Sequence, residues 1–128
     1  MICETITVFL LHKAVDIDLA YKLKSGEFKC QCNRITCNTI LFSPRLKDSW
    51  NVSRAEFGKS LKVNSGHRCQ LHNEEVGGVE DSQHTKGEAI DISHKEFEAN
   101  DRSFLRMILE KNFDVVLEYP TFFHCHNN

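Results

Sequence analysis

The hydrophobic positions of this 128-residue chain follow a helical period in two segments. Ser43 before Pro44 is typical of a helix start and Gly58 of a helix end, because Ser caps the first turn and Pro fits its first position. Between them the apolar residues recur at helical spacing: Leu46, Trp50 and Phe57. For the second helix, Asn100 or Asp101 is the expected N-cap. One of its faces is apolar: Phe104, Leu105, Ile108 and Leu109.

Strand-like segments make up much of the remaining pattern. They are residues 61–64, 89–92, 113–119 and 122–126. Pro120-Thr121 separates the last two segments, which predicts a hairpin. Residues 6–11 are also apolar, but their pattern fits a strand and a helix equally. Together these elements predict an α+β fold, in which a small antiparallel sheet is flanked by helices.

Composition and charge describe one globular domain, residues 1–128. The formal net charge of -2 and the pI near 6.4 give no basic surface, so we expect no nucleic-acid partner. The longest apolar stretch, residues 8–11, is far shorter than a membrane span. Because Glu4 stands where a secretory signal would be basic, we expect synthesis in a cytoplasm without a signal peptide. We also expect a monomer.

Three of the six cysteines lie close together in the sequence. Cys30, Cys32 and Cys37 form a C-x-C-x4-C pattern, which departs from the paired CxxC spacing of a zinc ribbon. Because a cytoplasm keeps thiols reduced, we expect free thiols in a partly buried turn, with a second, structural metal as the alternative. The other cysteines are expected to be small buried side chains: Cys3, Cys69 and Cys125.

Asp91 is the most informative residue, because it lies inside the strand-like residues 89–92, where an ionised carboxylate is costly without a partner. His84 precedes it on a turn that contains a glycine, and His124 lies near the C-terminus. Two histidines and one aspartate leave the fourth position of a tetrahedral Zn²⁺ open, which is typical of a catalytic site. The sequence therefore predicts a zinc hydrolase, in which the metal lowers the pKa of water toward ~7.

Glu118 is the candidate general base, which would carry a proton from the water to the leaving amine. It and His124 lie symmetrically about Thr121, so an odd-numbered turn would place them directly across the hairpin, with Cβ atoms ~5 Å apart. The alternative is that Glu118 is a solvent-facing strand residue. His126 would share that face and is a candidate second proton carrier. Three other histidines are expected to be structural: His12, His72 and His94.

Five short motifs stand in the middle of the chain. They are Ser65-Gly66-His67-Arg68-Cys69, His72-Asn73, Val76-Gly77-Gly78, Ser82-Gln83-His84 and Gly87-Glu88-Ala89-Ile90-Asp91-Ile92. With a late histidine, they closely resemble the signature SGYR, HN, VGG and SxHxxGxAxD of the zinc D-alanyl-D-alanine carboxypeptidase family. The resemblance covers residues 27–126. The spacing from Glu118 to His124 is also similar to the zinc site of hedgehog signalling domains, which share this fold.

The resemblance implies a set of zinc ligands: His84, Asp91 and His124. It implies that Glu118 is the catalytic base, although many family members carry the base three residues before the last histidine, where this chain has Thr121. Two further departures affect the surroundings of the site. His67 replaces the tyrosine of SGYR, and Phe123 replaces a tryptophan often found before the last ligand.

Two residues are matched to substrate binding by the same resemblance. Arg68 corresponds to the arginine that binds the carboxylate or a backbone carbonyl of the substrate, which suits its planar guanidinium. Ser82 corresponds to a residue that lines the substrate cleft. The alternative for Arg68 is a surface ion pair with Glu74 or Glu75.

The function implied by the resemblance is hydrolysis of the peptidoglycan stem peptide, at the D-Ala-D-Ala or the L-Ala-D-Glu bond. A compact chain with neither a wall-binding module nor a signal suits a phage lysin that acts on the cell wall or in the periplasm. The alternative is a non-catalytic zinc-binding domain, or a phage structural domain, of the same fold.

Overall fold

The computed structural model describes residues 25–34, residue 37 and residues 41–128. Within these ranges lie three α-helices and four strands. The helices are α1 (Pro44–Phe57), α2 (Gln70–Glu75) and α3 (Ala99–Asn112). The strands are β1 (Val63–Ser65), β2 (Ala89–Ser93), β3 (Val115–Glu118) and β4 (Phe122–His126). Short 3₁₀ helices cover Ser25–Phe28 and Gln83–Lys86.

The predicted α+β class is confirmed. Three predictions concern parts of the chain outside the described residues: the segment 6–11, Cys3 and His12. None of the helices in the described ranges is long and apolar enough to cross a membrane.

The four strands form one antiparallel sheet in the order β1-β2-β4-β3. In its centre, Asp91 of β2 pairs with His124 of β4, and Ile92 pairs with Phe123. Because side chains alternate along a strand, the first pair lies on one face and the second on the other. Helices α1 and α3 cover the face of the second pair, where Ile92 and Phe123 are fully buried.

Helix α1 begins and ends as the sequence predicts. The Ser43 hydroxyl accepts a hydrogen bond from the Leu46 N–H at 3.0 Å, and Gly58 ends the helix in a left-handed conformation, with φ of 73°. The Ser43 hydroxyl also donates to Glu88 Oε1 at 2.8 Å, and its N–H donates to the Gly87 carbonyl at 2.9 Å. The start of α1 is thereby attached to the residues that lead into β2.

Helix α3 begins earlier than predicted, at Ala99, so the expectation that Asn100 or Asp101 caps it is wrong. The N-cap is Glu98, whose side chain makes no capping hydrogen bond. The Asp101 carboxylate instead pairs with Lys59 Nζ at 2.7 Å. On the apolar face of α3 the residues Leu105, Ile108 and Leu109 are buried, whereas Phe104 is 43% exposed.

Two strand boundaries also differ from the prediction. β1 begins at Val63; before it, Leu61 is buried in the core and the Lys62 carbonyl accepts a hydrogen bond from the Ser93 N–H of β2 at 2.9 Å. β3 begins at Val115, because the Phe113 N–H still donates to the Leu109 carbonyl at the end of α3, at 2.8 Å.

Candidate metal centre

Three predicted ligand atoms converge on the sheet face opposite helices α1 and α3. His84 Nε2 lies 3.2 Å from Asp91 Oδ1, and His124 Nδ1 lies 2.9 Å from the same oxygen. The three ligand atoms all lie within 4.8 Å of one another. The structure therefore brings together the three residues that the sequence predicts as a metal site.

A short capped turn delivers His84 to this face. The Ser82 hydroxyl accepts a hydrogen bond from the His84 N–H at 3.1 Å and begins the 3₁₀ helix. Gly87 ends it with φ of 72°, and a Cβ atom there would lie 2.8 Å from the Leu41 carbonyl carbon. Only glycine tolerates both the positive φ and the close approach. The S-x-H-x-x-G spacing is therefore a local geometric requirement for placing His84 before β2.

The second ring nitrogen of each histidine has its own partner. His84 Nδ1 lies 2.7 Å from the Gly66 carbonyl, which only accepts, so Nδ1 carries the hydrogen and Nε2 keeps a free lone pair. His124 Nε2 lies 2.9 Å from His126 Nδ1. Burial, with a smaller contribution from His124, lowers the pKa of His126, which keeps its ring neutral and able to accept. Partners of this kind orient metal-binding imidazoles and select their tautomer.

Asp91 supplies the negative charge of the site. Burial alone would raise the pKa of Asp91, but its interactions with His124 and His84 outweigh it and lower the pKa to about 2. The carboxylate is therefore ionised at neutral pH, while its side chain is only 14% exposed.

This donor set fits Zn²⁺. Two neutral imidazole nitrogens and one carboxylate oxygen are common ligands of catalytic zinc, and ligand bonds of about 2.0–2.2 Å require the donor atoms to lie about 3.4 Å apart. The distances of 2.9 and 3.2 Å agree with that requirement to within a small adjustment of the side chains. One coordination position remains for water or substrate.

The three ligands line a cleft of about 430 Å³. Its other walls come from the loop after α2, from Arg68 and Ser82, and from the hairpin of β3 and β4. The hairpin contributes Leu117, Tyr119 and Phe122. The rings of Tyr119 and Phe122 stack, with centroids 4.8 Å apart. The cleft therefore has a polar floor and a partly apolar wall, as peptide binding requires.

Arg68 extends into this cleft with few partners of its own. Within residues 25–34, 37 and 41–128, no carboxylate forms an ion pair with Arg68, and its buried Nε has no hydrogen-bond partner. Glu75 pairs with Arg34 instead, so an ion pair of Arg68 with Glu74 or Glu75 is not formed. Burial lowers the pKa of Arg68, partly offset by the charge of Asp91, and leaves a cation that lacks an acceptor.

The loop that faces Arg68 is held by Asn73. The Asn73 side chain donates to the Val79 carbonyl at 2.7 Å, and the backbone carbonyl of Asn73 accepts from the Gly78 N–H at 2.8 Å. A Cβ atom on Gly78 would lie 2.1 Å from Asn73 Oδ1. With Asn73 in this position, only glycine leaves enough space at position 78. The VGG motif thus forms one wall of the cleft, and Asn73 of the HN motif holds it in place.

Glu118 does not lie beside the ligands. β3 and β4 pair with Glu118 opposite Phe123 and with Leu117 opposite His124. Residues 119–122, an even number, separate the first pair, whereas the predicted pairing of Glu118 with His124 required an odd number. A shift of one residue moves a side chain to the other face of a sheet. The predicted hairpin register is therefore wrong, and Leu117 takes the expected place of Glu118.

The Glu118 carboxylate is instead bound by helix α3. Its Oε1 accepts a hydrogen bond from Arg106 at 2.6 Å, and its Oε2 lies 3.8 Å from Arg102. Glu118 is not among the residues that line the cleft. The hairpin geometry therefore gives no support to Glu118 as the base.

The remaining predicted residues have structural surroundings. His94 lies at 3% exposure, with Nε2 at 2.8 Å from the Tyr119 carbonyl and with its ring against Phe123, which confirms its structural interpretation. His67 is buried, and its N–H donates to the Phe28 carbonyl at 2.9 Å. Thr121, at the position of the base in many family members, is an exposed turn residue.

The sequence did not predict two features of the site and its surroundings. Tyr119 and Phe122 form a wall of the cleft, although their apolar character indicated only strand positions. Cys69 was predicted to be a small buried side chain, but it is partly exposed and lies with three other cysteines: Cys30, Cys32 and Cys37. No signal in the sequence joins Cys69 to the earlier cysteines, because they lie in two distant segments.

We predict that the protein binds zinc through this triad. His84→Ala and Asp91→Asn should each remove about one equivalent of zinc per chain, because three protein ligands are needed to hold a catalytic zinc. Elemental analysis by mass spectrometry after gel filtration measures this loss, with circular dichroism to verify the fold. Asp81→Asn, which removes an exposed carboxylate outside the triad, is the matched control and should keep all its zinc. Full zinc content in His84→Ala would contradict the ligand assignment.

One comparison with known proteins bears on this arrangement. The sequence model of a family described as Peptidase M15 matches residues 13–126, which is most of the chain. No curated protein matches this sequence.

Proposed function

The chain belongs to the Peptidase M15 family, and from this premise we propose that it is a zinc-dependent peptidase that hydrolyses the stem peptide of peptidoglycan. Membership makes it a metallopeptidase of the peptidoglycan-peptidase kind. One observation supports this finer proposal. The three ligand atoms converge at the floor of a cleft, and the guanidinium of Arg68 in its wall has no ion pair among the described residues.

The residues of the cleft suit a short peptide that carries a carboxylate. Arg68 can hold a carboxylate or a backbone carbonyl with two parallel hydrogen bonds, which a lysine cannot do. Leu117 and the stacked Tyr119 and Phe122 offer apolar surface for small side chains such as that of alanine. The stem peptide, whose D-Ala-D-Ala and L-Ala-D-Glu bonds both lie beside carboxylates, has this chemistry.

The ligands and their partners prepare the site for hydrolysis. A bound Zn²⁺ would supply Lewis-acid polarisation of the scissile carbonyl and would lower the pKa of water. Asp91 stays ionised, while the Gly66 carbonyl and His126 hold the two imidazoles in the orientation needed for binding. These fixed contacts reduce the reorganisation that binding would otherwise require.

The general base is the point on which resemblance and geometry differ. The resemblance assigns it to Glu118, but Arg106 holds that carboxylate on the helix-facing side of the sheet. Among the described residues, Asp91 is the only carboxylate that lines the cleft. This observation favours the second candidate function, a non-catalytic zinc-binding or phage structural domain of the same fold.

Hydrolysis of defined muropeptides distinguishes the two functions. We predict that the zinc-loaded protein releases D-alanine, or cleaves after L-alanine, and that a chelator abolishes the reaction. Mass spectrometry of the products identifies the bond, and re-addition of zinc should restore activity. Zinc binding without any product, over a range of stem peptides, would support the non-catalytic domain.

We further propose that the protein acts as a monomer on the cell wall, as a phage lysin does.

Arg68→Lys tests substrate recognition. The substitution keeps the charge but loses the paired geometry, so kcat/KM for muropeptides should fall roughly ten- to a hundredfold, without loss of zinc. Arg45→Lys is the matched control, because Arg45 forms an exposed ion pair with Asp114 outside the cleft. Unchanged kcat/KM in Arg68→Lys would mean that Arg68 does not bind the substrate.

Glu118→Gln tests the base. From the geometry we expect kcat to stay within about threefold of the wild type, because an absent base would cost about 10²–10⁴ and Glu118 lies outside the cleft. Glu110→Gln removes the other carboxylate that pairs with Arg106 and serves as the control for lost ion pairing. A loss of two orders of magnitude in Glu118→Gln alone, with zinc retained, would assign the base to Glu118 and contradict this expectation.

A further inference from the structure

A second group of ligands lies outside the triad. The sulfur atoms of Cys30, Cys32, Cys37 and Cys69 all lie within 4.8 Å of one another, and each is present as a thiol. We propose that these four cysteines bind a structural Zn²⁺, in a site separate from the His84, Asp91 and His124 centre.

The number and spacing of the sulfurs fit a closed zinc site. Four thiolates around Zn²⁺ with bonds of about 2.3 Å place neighbouring sulfurs about 3.8 Å apart, so a small contraction of the observed group completes a tetrahedron. No position would remain for water, which distinguishes a structural zinc from a catalytic one. The expectation of free thiols without a metal rested on three cysteines, and Cys69 adds the fourth ligand.

Backbone donors already point at the sulfurs. The Cys69 N–H donates to Cys30 Sγ at 3.3 Å, and the His72 N–H donates to Cys69 Sγ at 3.4 Å. Burial raises the pKa of Cys30 to about 11, and the hydrogen bond from the Cys69 N–H partly offsets that rise. The two donors fix Cys30 Sγ and Cys69 Sγ relative to the segment that follows Arg68.

A cation compensates the negative charge that four thiolates would leave around Zn²⁺. Arg34 lies within interaction range of Cys32, and its guanidinium pairs with Glu75 of α2. Arg34 therefore lies between the cysteines and the helix that follows Cys69.

Two local features hold the ligands of the first segment near one another. Asn33 adopts φ of 61°, a left-handed conformation that asparagine tolerates better than most residues. The Cys37 N–H donates to the Arg34 carbonyl at 3.0 Å, which keeps Cys37 close to the residue that follows Asn33. An irregular C-x-C-x4-C spacing needs such proximity in order to surround one ion.

The proposed zinc would attach this turn to the segment that serves the catalytic cleft. Cys69 directly follows Arg68. The Gly66 carbonyl, two positions before Arg68, accepts a hydrogen bond from the His84 ring. Other contacts join the two segments, among them hydrogen bonds of 2.9 Å from the His67 N–H to the Phe28 carbonyl and of 3.0 Å from Gln31 Nε2 to the Asn64 carbonyl. A metal shared by both segments would add to these contacts and stabilise the backbone on which Arg68 and Gly66 are placed.

Zinc counting on the unmodified full chain is the first test. The purified wild type should contain about two zinc ions per chain, one for each site. A mercurial reagent that reacts with thiols should release one of them and leave the other with the triad. One zinc that the mercurial does not release, or a disulfide among the four cysteines by mass spectrometry, would overturn the proposal.

Variants then separate the two sites. Cys32→Ser and Cys37→Ser should each lose one zinc, whereas Cys125→Ala, which changes a buried cysteine outside the cluster, should keep both. In His84→Ala only the cysteine site remains, so X-ray absorption at the zinc edge should show four sulfur neighbours at about 2.3 Å. His84→Ala protein that is folded but free of zinc, or whose zinc has nitrogen or oxygen neighbours, would contradict the site. Because this variant lacks the triad, the result is independent of the proposed peptidase function.

Discussion

The register between β2 and β4 is the constraint on which the rest of the structure depends. The same pairing places Asp91 opposite His124 on the open face of the sheet and Ile92 opposite Phe123 in the core. A slip of one residue would pair Asp91 with a core-facing residue of β4, and so would either bury the carboxylate among apolar side chains or expose that core residue. Hydrophobic burial therefore selects the register that forms the metal centre. The buried Asp91 is costly in isolation, and its cost is offset by its interactions with two imidazoles here and by a cation when zinc binds.

A single short segment, residues 64–69, links the sheet to both proposed metal sites. The Gly66 carbonyl accepts from the ring of His84, Arg68 lies in the cleft, and Cys69 lies with three other cysteines. The Arg68 N–H also donates to the His84 carbonyl at 3.1 Å, so the segment contacts the first ligand through backbone as well as side chain. An ordered position of this segment is therefore needed for the orientation of His84 and for the reach of Arg68. This dependence gives a physical reason for a structural metal so close to a catalytic one.

Much of this arrangement could be predicted from sequence because it depends on local chemistry. The Ser43 cap, the Gly58 end of α1 and the turn from His84 to Gly87 follow from residue types at fixed spacing. The face of Glu118 could not be predicted, because it depends on whether an odd or even number of residues separates the paired strands, and proline and threonine in a turn fit either number. The partnership of Cys69 with the earlier cysteines could not be predicted either, since it depends on how two distant segments pack.

The most direct test of the central claim is a crystal structure with anomalous diffraction collected at the zinc edge. The account predicts an anomalous peak about 2.0–2.2 Å from His84 Nε2, Asp91 Oδ1 and His124 Nδ1, on the face of the sheet opposite the helices. A strong peak elsewhere with none at this triad, in protein that retains its zinc, would contradict the claim that the β2 and β4 register forms the metal centre.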